Sequence, residues 1–340
     1  MDCLLVSSAA NSYYLTGFTG ESGLVLVAAR GTILLTDARF TVQAHEEAPG
    51  IRVELAKKEL YAAAGELLSR RGFLRVGYDQ GQTTVAQLRA LRKAGGAKCR
   101  EIAAGGVVEG FRTRKDAQEL TLMRRAALLA GEVFTAVVPL LKPGVREDEI
   151  AAEISYQMRK RGASGESFPS IVASGARSAL PHARPTRKRL RKNELVVLDL
   201  GAILGHYCSD LTRTVHIGTA SRRVRRWYRA VAEAQQAAIE AVKAGVRCGD
   251  VDGAAREVLQ KNGLDRYFVH STGHGLGLEV HELPRVARGQ EIRLEAGNVI
   301  TIEPGVYVEG VGGIRIEDDV VVHFNRSEAL TCVERDLIEL

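Results

Sequence analysis

A segment of nine residues recurs in the second part of the chain and constrains the fold more than any other feature. KPGVREDEI at residues 142–150 reappears as KAGVRCGDV at residues 243–251, and the matched positions are 101 residues apart. A helical pattern precedes and follows each copy, and a single pair is too few for a solenoid. We therefore predict two similar halves that face each other, with a cleft between them where sites tend to lie. Chance similarity between two helix–turn–helix segments is the competing explanation.

The length of 340 residues predicts two domains, because single hydrophobic cores rarely grow this large. We place an α/β domain at residues 1–112 and the repeat-containing domain at residues 113–340. In the first domain, Arg30-Gly31 separates two β-like runs and predicts a hairpin. Further strands are predicted at residues 52–55 and 74–77, helices at residues 38–48, 57–71 and 83–94, and a glycine-rich linker at residues 101–113.

Several classes of protein are disfavoured by the composition. Five scattered cysteines without a CxxC pair argue against a disulfide framework and for a reducing cytoplasm. No run approaches the roughly 20 apolar residues of a membrane span. The N-terminal segment lacks the basic region that would begin a signal peptide. We expect a cytoplasmic protein with no membrane partner.

Two basic runs, residues 184–192 and 222–229, account for much of the net charge of +6. Such runs can bind nucleic acid through its phosphates. They are more often solvated loop and helix surface, and neither run has the interleaved aromatic residues of a single-strand platform. The sequence therefore favours a surface role, and we expect no nucleic-acid partner.

Metal-ligand residue types are spread over the second domain, each in a strand-like run or beside a glycine-rich bend: Asp199, Asp210, His274, Glu303 and Glu317. Four carboxylates supply the negative charge that holds two divalent cations close together. With only one imidazole the set is rich in oxygen, which suits Mn²⁺, Co²⁺ or Fe²⁺ at least as well as Zn²⁺. Two such cations can lower the pKa of a shared water and polarise a carbonyl group.

The local contexts strengthen this prediction. Asp199 ends the apolar run LVVLD, and two strands joined by a tight bend would place it beside Asp210. His274 lies between glycines, which we expect to let the backbone approach a ligand. Glu303 lies in the apolar run VITIE, where an ionised carboxylate needs a partner, and Glu317 follows an alternating run. Each residue alone could be a salt-bridge or capping residue, but together they point to a metal centre.

These motifs resemble those of the M24 or pita-bread metallopeptidases, which include aminopeptidase P and prolidase. The similarity is carried by DLGAILGHYCSDLTRT, STGHGLGLEVHE, TIEPGVYV and GGIRIEDD. YYLTGFTGESG and LLTDARF resemble the front domain of aminopeptidase P and prolidase. The resemblance implies an α/β (α+β) chain, with a creatinase/prolidase-like N-terminal domain followed by a pita-bread catalytic domain. An internal pseudo-two-fold repeat is expected in the catalytic domain.

The resemblance also implies a role for each residue of the site. Asp199 would bind one metal, Asp210 and Glu317 would bridge two, and His274 and Glu303 would complete the other. Glu303 would also pass a proton from the attacking water towards the leaving nitrogen. His182 and His281 match catalytic, substrate-facing histidines, Tyr207 matches a substrate-binding tyrosine near the metals, and Arg315 would orient a ligating carboxylate.

The activity implied by the resemblance is removal of an N-terminal residue that precedes proline, as in Xaa-Pro aminopeptidases. Hydrolysis of Xaa-Pro dipeptides, as in prolidases, is the alternative. A non-catalytic peptide-binding or nucleic-acid-binding module on the same fold is a more distant one. Two divalent ions are implied, Mn²⁺ foremost, with Co²⁺, Zn²⁺ or Fe²⁺ as other candidates. A homodimer and a peptide substrate with proline at its second position are implied as well.

Overall fold

A computed structural model of the chain describes residues 1–96 and 99–340, which form two compact units, Met1–Arg112 and Thr113–Leu340. Within the described ranges, no helix is both long enough and apolar enough to cross a lipid bilayer.

The first unit is a mixed six-stranded sheet in the order β4-β3-β2-β1-β5-β6 with helices packed against it. Its strands are β1 (Cys3–Val6), β2 (Gly23–Ala28), β3 (Gly31–Thr36), β4 (Arg52–Leu55), β5 (Arg75–Tyr78) and β6 (Arg100–Ala103). Its helices are α1 (Ala9–Thr16), α2 (Thr41–Glu47), α3 (Leu60–Arg71), α4 (Val85–Gly95) and α5 (Val107–Arg112). The predicted hairpin around Arg30-Gly31 is confirmed, since β2 and β3 pair antiparallel.

The predicted linker at residues 101–113 is wrong. Most of it forms the edge strand β6, which pairs parallel with β5, and the helix α5. Val108 of α5 is buried in an apolar cluster, and the Arg112 guanidinium donates a 2.6 Å hydrogen bond to the Asn11 side chain. The glycines suggested a linker, but long-range packing, which local composition does not reveal, forms a strand and a helix there.

The second unit contains four long helices among its described elements: α6 (Ala117–Val137), α7 (Glu147–Lys160), α8 (Arg222–Ala241) and α9 (Cys248–Lys261). Its strands before α8 are β7 (Gly165–Glu166), β8 (Ile171–Ser174), β9 (Glu194–Leu200), β10 (Ala202–Leu204), β11 (Tyr207–Cys208) and β12 (Leu211–Ile217). Those after α9 are β13 (Gly273–Gly275), β14 (Glu282–Val286), β15 (Val299–Ile302), β16 (Gly305–Val308), β17 (Gly312–Arg315), β18 (Asp318–Val322), β19 (Ser327–Ala329) and β20 (Ile338–Glu339).

Two sheets dominate this unit, one in each half. The first half packs α6 and α7 on the sheet β20-β12-β9-β8, around a core of its own. The second half packs α8 and α9 on the sheet β14-β13-β15-β18-β19, around another core. The two sheets meet where β12 runs beside residues 315–317, since the Glu317 backbone N–H donates to the Thr212 carbonyl.

The repeat seen in the sequence recurs in the hydrogen bonds of the two halves. Both copies form a turn with glycine at positive φ, 97° at Gly144 and 87° at Gly245, which favours glycine. In each copy the N–H of this glycine donates to a leucine carbonyl, that of Leu190 in the first copy and Leu294 in the second. The glycine carbonyl in turn accepts a hydrogen bond from an arginine side chain, Arg189 in the first copy and Arg293 in the second. Two independent segments would not share these bonds by chance, so the predicted duplication is confirmed.

The basic run at residues 222–229 forms the first turns of α8, where five arginines are exposed. The run at residues 184–192 lies in the connection between β8 and β9, with most of its basic side chains also exposed.

Candidate metal centre

The two aspartates of the site come from neighbouring antiparallel strands of the first half. Asp199 lies near the end of β9, and Asp210 immediately precedes β12. β9 and β12 pair with Leu200 opposite Leu211, so the two carboxylates come from one end of the strand pair. The connection is the small β10–β11 hairpin rather than the tight bend that we predicted.

Two glutamates occupy the equivalent positions of the second half. Glu303 follows β15, Glu317 precedes β18, and these strands pair antiparallel with Ile302 opposite Asp318. Each half therefore supplies one carboxylate at the end of a strand and another just before the strand that pairs with it. The duplicated fold thus explains why four acidic residues converge.

His274 is the one imidazole of the set and lies on β13, between β14 and β15. The flanking glycines are needed because neighbouring strands come close. A Cβ atom at Gly273 would overlap the carbonyl oxygen of Thr301, and one at Gly275 would overlap that of Leu283. Their role is close strand packing, which corrects our expectation that they admit a ligand.

The side chains converge at the junction of the halves. Ligand atoms of Asp210, His274 and Glu317 all lie within 4.8 Å of one another. The Nε2 atom of His274 lies 3.8 Å from Asp210 and 3.5 Å from Glu303. Asp199 is joined to this group through Arg315, whose guanidinium contacts its Oδ2 atom at 2.5 Å. The structure thus brings all five predicted ligands to one place.

Crowding of buried carboxylates shifts their proton affinities. Burial, followed by the charges of Glu317 and Asp199, raises the pKa of Asp210 well above its usual value. Burial, followed by the charges of Glu303 and Asp199, does the same for Glu317. The pKa of Glu303 rises to about 8, chiefly through burial. The protein alone thus leaves excess negative charge uncompensated, as expected of a group that binds cations.

The imidazole of His274 is tuned in the opposite direction. Burial lowers its pKa to about 4, and the neighbouring His281 adds to this. Its Nδ1 atom lies 3.0 Å from the Gly275 carbonyl oxygen, so a proton on Nδ1 leaves Nε2 free to act as a ligand. A neutral imidazole with one nitrogen oriented by a backbone carbonyl is the form that binds a metal.

Unpaired oxygen atoms provide a separate test of whether metals fit. The Oδ1 atoms of Asp199 and Asp210 are buried and have no hydrogen-bond partner among the described residues. A buried acceptor without a partner is costly unless a cation or water satisfies it. Two such oxygens, beside three further ligand side chains, fit divalent cations with a preference for oxygen.

Some residues that contact the ligands were not predicted from the sequence, although the alternation of side chains along a strand could have indicated two of them. Thr212 is two residues from Asp210 and Thr301 is two from Glu303, so each shares a strand face with a ligand. The Thr212 hydroxyl donates to Glu317 at 2.5 Å and accepts from Arg315 at 3.1 Å, while Thr301 accepts the His274 backbone N–H.

A second group of missed residues could not be read from local spacing. The Tyr307 hydroxyl contacts both Arg315 and His270 at 2.8 Å, and the Asp319 carboxylate accepts the backbone N–H of Asp210 at 3.0 Å. Arg315 thus connects Asp199, Thr212 and Tyr307, and its role in orienting a ligating carboxylate stays a prediction.

The three residues expected to contact substrate are placed differently from one another. His281 is exposed, and the centroid of its ring lies 4.3 Å from that of His274. Partial burial, followed by the charge of His182, lowers its pKa. His182 is exposed as well. Tyr207 instead packs in an apolar cluster and donates a 2.7 Å hydrogen bond to Glu119. Its substrate-binding role stays a prediction.

Comparison with known proteins agrees with this architecture. Residues 121–323 match metallopeptidase family M24, and residues 1–113 match the creatinase/prolidase N-terminal domain. A protein named Xaa-Pro dipeptidase from Pyrococcus horikoshii is 36% identical over 343 residues, covering 99% of this chain and 95% of that protein.

Two solved structures are similar over the whole chain. A Bacillus anthracis protein described as an Xaa-Pro dipeptidase superposes with a TM-score of 0.97 at 35% identity, covering 100% of this chain and 95% of that one. A Thermotoga maritima protein described as an X-Pro aminopeptidase gives 0.93 at 35% identity, covering 100% and 98%. The chain belongs to the M24 metallopeptidases. It joins a creatinase/prolidase-like N-terminal domain to a pita-bread catalytic domain, as its motifs predicted.

Proposed function

We propose that this protein is a metal-dependent peptidase that hydrolyses the bond between an N-terminal residue and a following proline, with Xaa-Pro dipeptides as its preferred substrates. The observation that carries the hydrolytic part is the convergence of the five ligand side chains. Divalent cations held there would supply an activated water and a Lewis acid for the scissile carbonyl. The ligand types narrow the native metal to a hard or borderline divalent ion, and Mn²⁺ is the first candidate.

The chain's own groups suit a bond to proline. Such a bond is a tertiary amide without an N–H, so the protein must act on its carbonyl and its leaving nitrogen. His182 and His281 can donate hydrogen bonds at the mouth of the site. Glu303, whose carboxylate lies 3.5 Å from the His274 imidazole, can accept a proton from the attacking water and deliver it to the leaving nitrogen.

The preference for dipeptides is supported by Arg285. It lies directly opposite His274 in the β13–β14 pair, so the two side chains leave the same face of the sheet. Arg285 is exposed and makes no ion pair with any described residue. A guanidinium beside the metal ligands can bind the C-terminal carboxylate that a dipeptide presents next to the scissile bond. The dipeptidase names of several relatives support the same preference.

The test compares Xaa-Pro, Xaa-Pro-Yaa and Xaa-Ala-Yaa peptides of matched first residue, using metal-free protein restored with Mn²⁺, Co²⁺ or Zn²⁺ in turn. We expect metal-dependent cleavage confined to the proline peptides, with kcat/KM highest for the dipeptide. Arg285→Leu should remove that advantage by roughly tenfold or more, since charged pairs of this kind are strong. Arg288→Leu, the same charge change at another exposed arginine, is the matched control.

The second candidate is an Xaa-Pro aminopeptidase, to which our sequence analysis gave precedence. Full-length similarity to the Thermotoga maritima aminopeptidase favours it. Faster cleavage of tripeptides than of dipeptides, unaffected by Arg285→Leu, would establish this candidate instead. No cleavage with any metal would favour a binding module.

Two further parts of the proposal concern the cell and the assembly. We place the protein in the cytoplasm, supported by five cysteines that are all free thiols. We also propose a homodimer, which light scattering on the purified protein would test.

A further inference from the structure

Lys115 and Glu282 form an ion pair in the interior of the second unit. The two charged groups lie 3.1 Å apart, and their side chains are only 1% and 5% exposed. Lysine is almost never fully buried without a reason, because its ammonium group loses its hydration. Neither residue is a metal ligand or a predicted substrate contact, so the metal centre itself does not explain this pair.

Glu282 organises a turn next to the metal centre. Its Oε1 atom accepts the backbone N–H of Glu279, and a Cβ atom at position 277 would lie within 3 Å of its carboxylate. The Gly277 N–H in turn donates to the Glu279 carbonyl. These contacts fold residues 277–282 around the carboxylate.

The turn is also attached to the strand that leads to Asp210. The Gly277 carbonyl accepts the backbone N–H of Cys208 at 2.8 Å, and the Cys208 thiol contacts the Leu278 carbonyl. Residues 277–282 are therefore held from two sides, by the β11 backbone and by the carboxylate at their own end.

His281 is the last residue of the turn before Glu282. The turn therefore fixes where its imidazole lies, 4.3 Å from the ring of His274 between centroids. A shift in the Glu282 backbone moves the adjacent His281 directly.

Lys115 is itself fixed in place. Its backbone N–H donates to the Gly297 carbonyl at 2.8 Å, and the next residue, Asp116, caps α6 by accepting the N–H groups of Gln118 and Glu119. The ammonium group thus extends from an anchored backbone and gives the buried Glu282 carboxylate a charged partner, whose loss should loosen the turn.

We propose that Lys115 and Glu282 are positioning residues for His281: the ion pair fixes the 277–282 turn and thereby places the imidazole beside the metal ligands. This inference rests on the proposed peptidase function for its kinetic test. The placement of the imidazole can be measured without that function.

The kinetic test uses Lys115→Met, His281→Ala and the double variant, each loaded with Mn²⁺ and assayed on an Xaa-Pro dipeptide well below its unfolding temperature. We expect Lys115→Met to lower kcat by tenfold to a hundredfold, because small misplacements near the reacting atoms are costly. Metal content should stay at the wild-type value. In the His281→Ala background, Lys115→Met should add less than about twofold, since its effect passes through the missing ring.

Two controls separate positioning from loss of stability. Arg124→Met removes an ion pair between α6 and Glu328, away from the turn. Val133→Ala truncates a buried residue of α6 and destabilises the fold without touching the turn. Both should leave the kcat of the folded protein within about twofold of wild type. An equal kcat loss from Lys115→Met with and without His281, or in Val133→Ala, would overturn the proposal.

A spectroscopic measurement tests the same placement without turnover. In protein with ¹⁵N-labelled histidine, Lys115→Met should shift the ring resonances that disappear in His281→Ala, whereas Arg124→Met should not. If wild type cleaves no peptide but this shift occurs, the proposed function fails and the positioning stands. If wild type is active and the resonances do not move, the positioning fails alone. A variant Lys115→Arg that keeps the charge should retain more kcat than Lys115→Met.

Discussion

Raising the pH from about 6.5 to 8 should destabilise the metal-free protein, which is the reverse of what paired surface carboxylates would do. The perturbation acts on Glu303, whose pKa rises from 4.5 to about 8 when it is buried in the folded site. In this pH range the folded protein keeps a proton on Glu303 that the unfolded chain has released. The free energy of unfolding therefore falls as the pH rises, since the folded state binds more protons.

The histidines set the lower limit of this range. His274 and His270 have pKa values of about 4 in the folded protein against 6.5 for the free side chain, chiefly through burial. They contribute the opposite slope, a stability that increases with pH, and this contribution fades above about pH 6.5 as the histidines of the unfolded chain lose their protons. The net fall in stability is therefore steepest between about pH 7 and 8.

The change in the free energy of unfolding is estimated from the one extra proton that the folded state binds over about 1.5 pH units. At about 1.4 kcal/mol for each pH unit, Glu303 alone lowers the free energy of unfolding by about 2 kcal/mol. Its side chain is still 16% exposed, so this figure is an upper limit for that residue. Asp210 and Glu317, whose pKa values are also raised, add to the slope in the same direction.

The assay is urea unfolding of chelator-treated protein at pH 6.5, 7.0, 7.5 and 8.0, beside Glu303→Gln, which cannot ionise. We expect the stability of wild type to fall across the series and that of Glu303→Gln to fall less steeply. Addition of Mn²⁺ should reverse the trend, because metal binding requires the deprotonated ligands. A metal-free wild type whose stability is flat or rises with pH, or a variant with an unchanged slope, would refute the reasoning.

Three further substitutions test the site. Glu317→Ala should remove one of the four carboxylates of the site, abolish peptidase activity and lower the metal content measured by mass spectrometry; full activity with bound metal would contradict the assignment. His182→Ala should keep its metal and lose roughly a hundredfold in turnover, in the range of a general acid or base; loss of metal would mean that His182 is a ligand. Thr212→Val should weaken metal binding by about tenfold or more, because the hydroxyl orients Glu317 and Arg315; calorimetric titration with Mn²⁺ would show whether the affinity is instead unchanged.

Those parts of the site that lie within single motifs could be predicted from the sequence. Asp199 lies near the end of an apolar strand and Glu303 follows one, and the recurrence of KxGVR turns indicated two similar halves. The connection between Asp199 and Asp210 was simplified to a bend, because nothing in the short run GAILGHY distinguishes a turn from the small hairpin β10–β11.

Contacts between distant segments account for what could not be predicted. Tyr307, His270 and Arg315 meet only because the β16–β17 hairpin folds against the loop before β13, and no spacing within one motif encodes that encounter. The helix α5 was missed for the same reason, since Arg112 at its end is held by Asn11, 101 positions earlier in the chain.

The division of the ligands between the halves has a mechanical consequence. Asp199 and Asp210 belong to the first half, and His274, Glu303 and Glu317 to the second. A cation held by both sets would act as a reversible cross-link that closes the chain into loops by coordination instead of a covalent bond. The stability of the second unit would thus vary with metal supply. The metal-free protein would be less stable and more sensitive to proteases, and metal binding would restore its resistance.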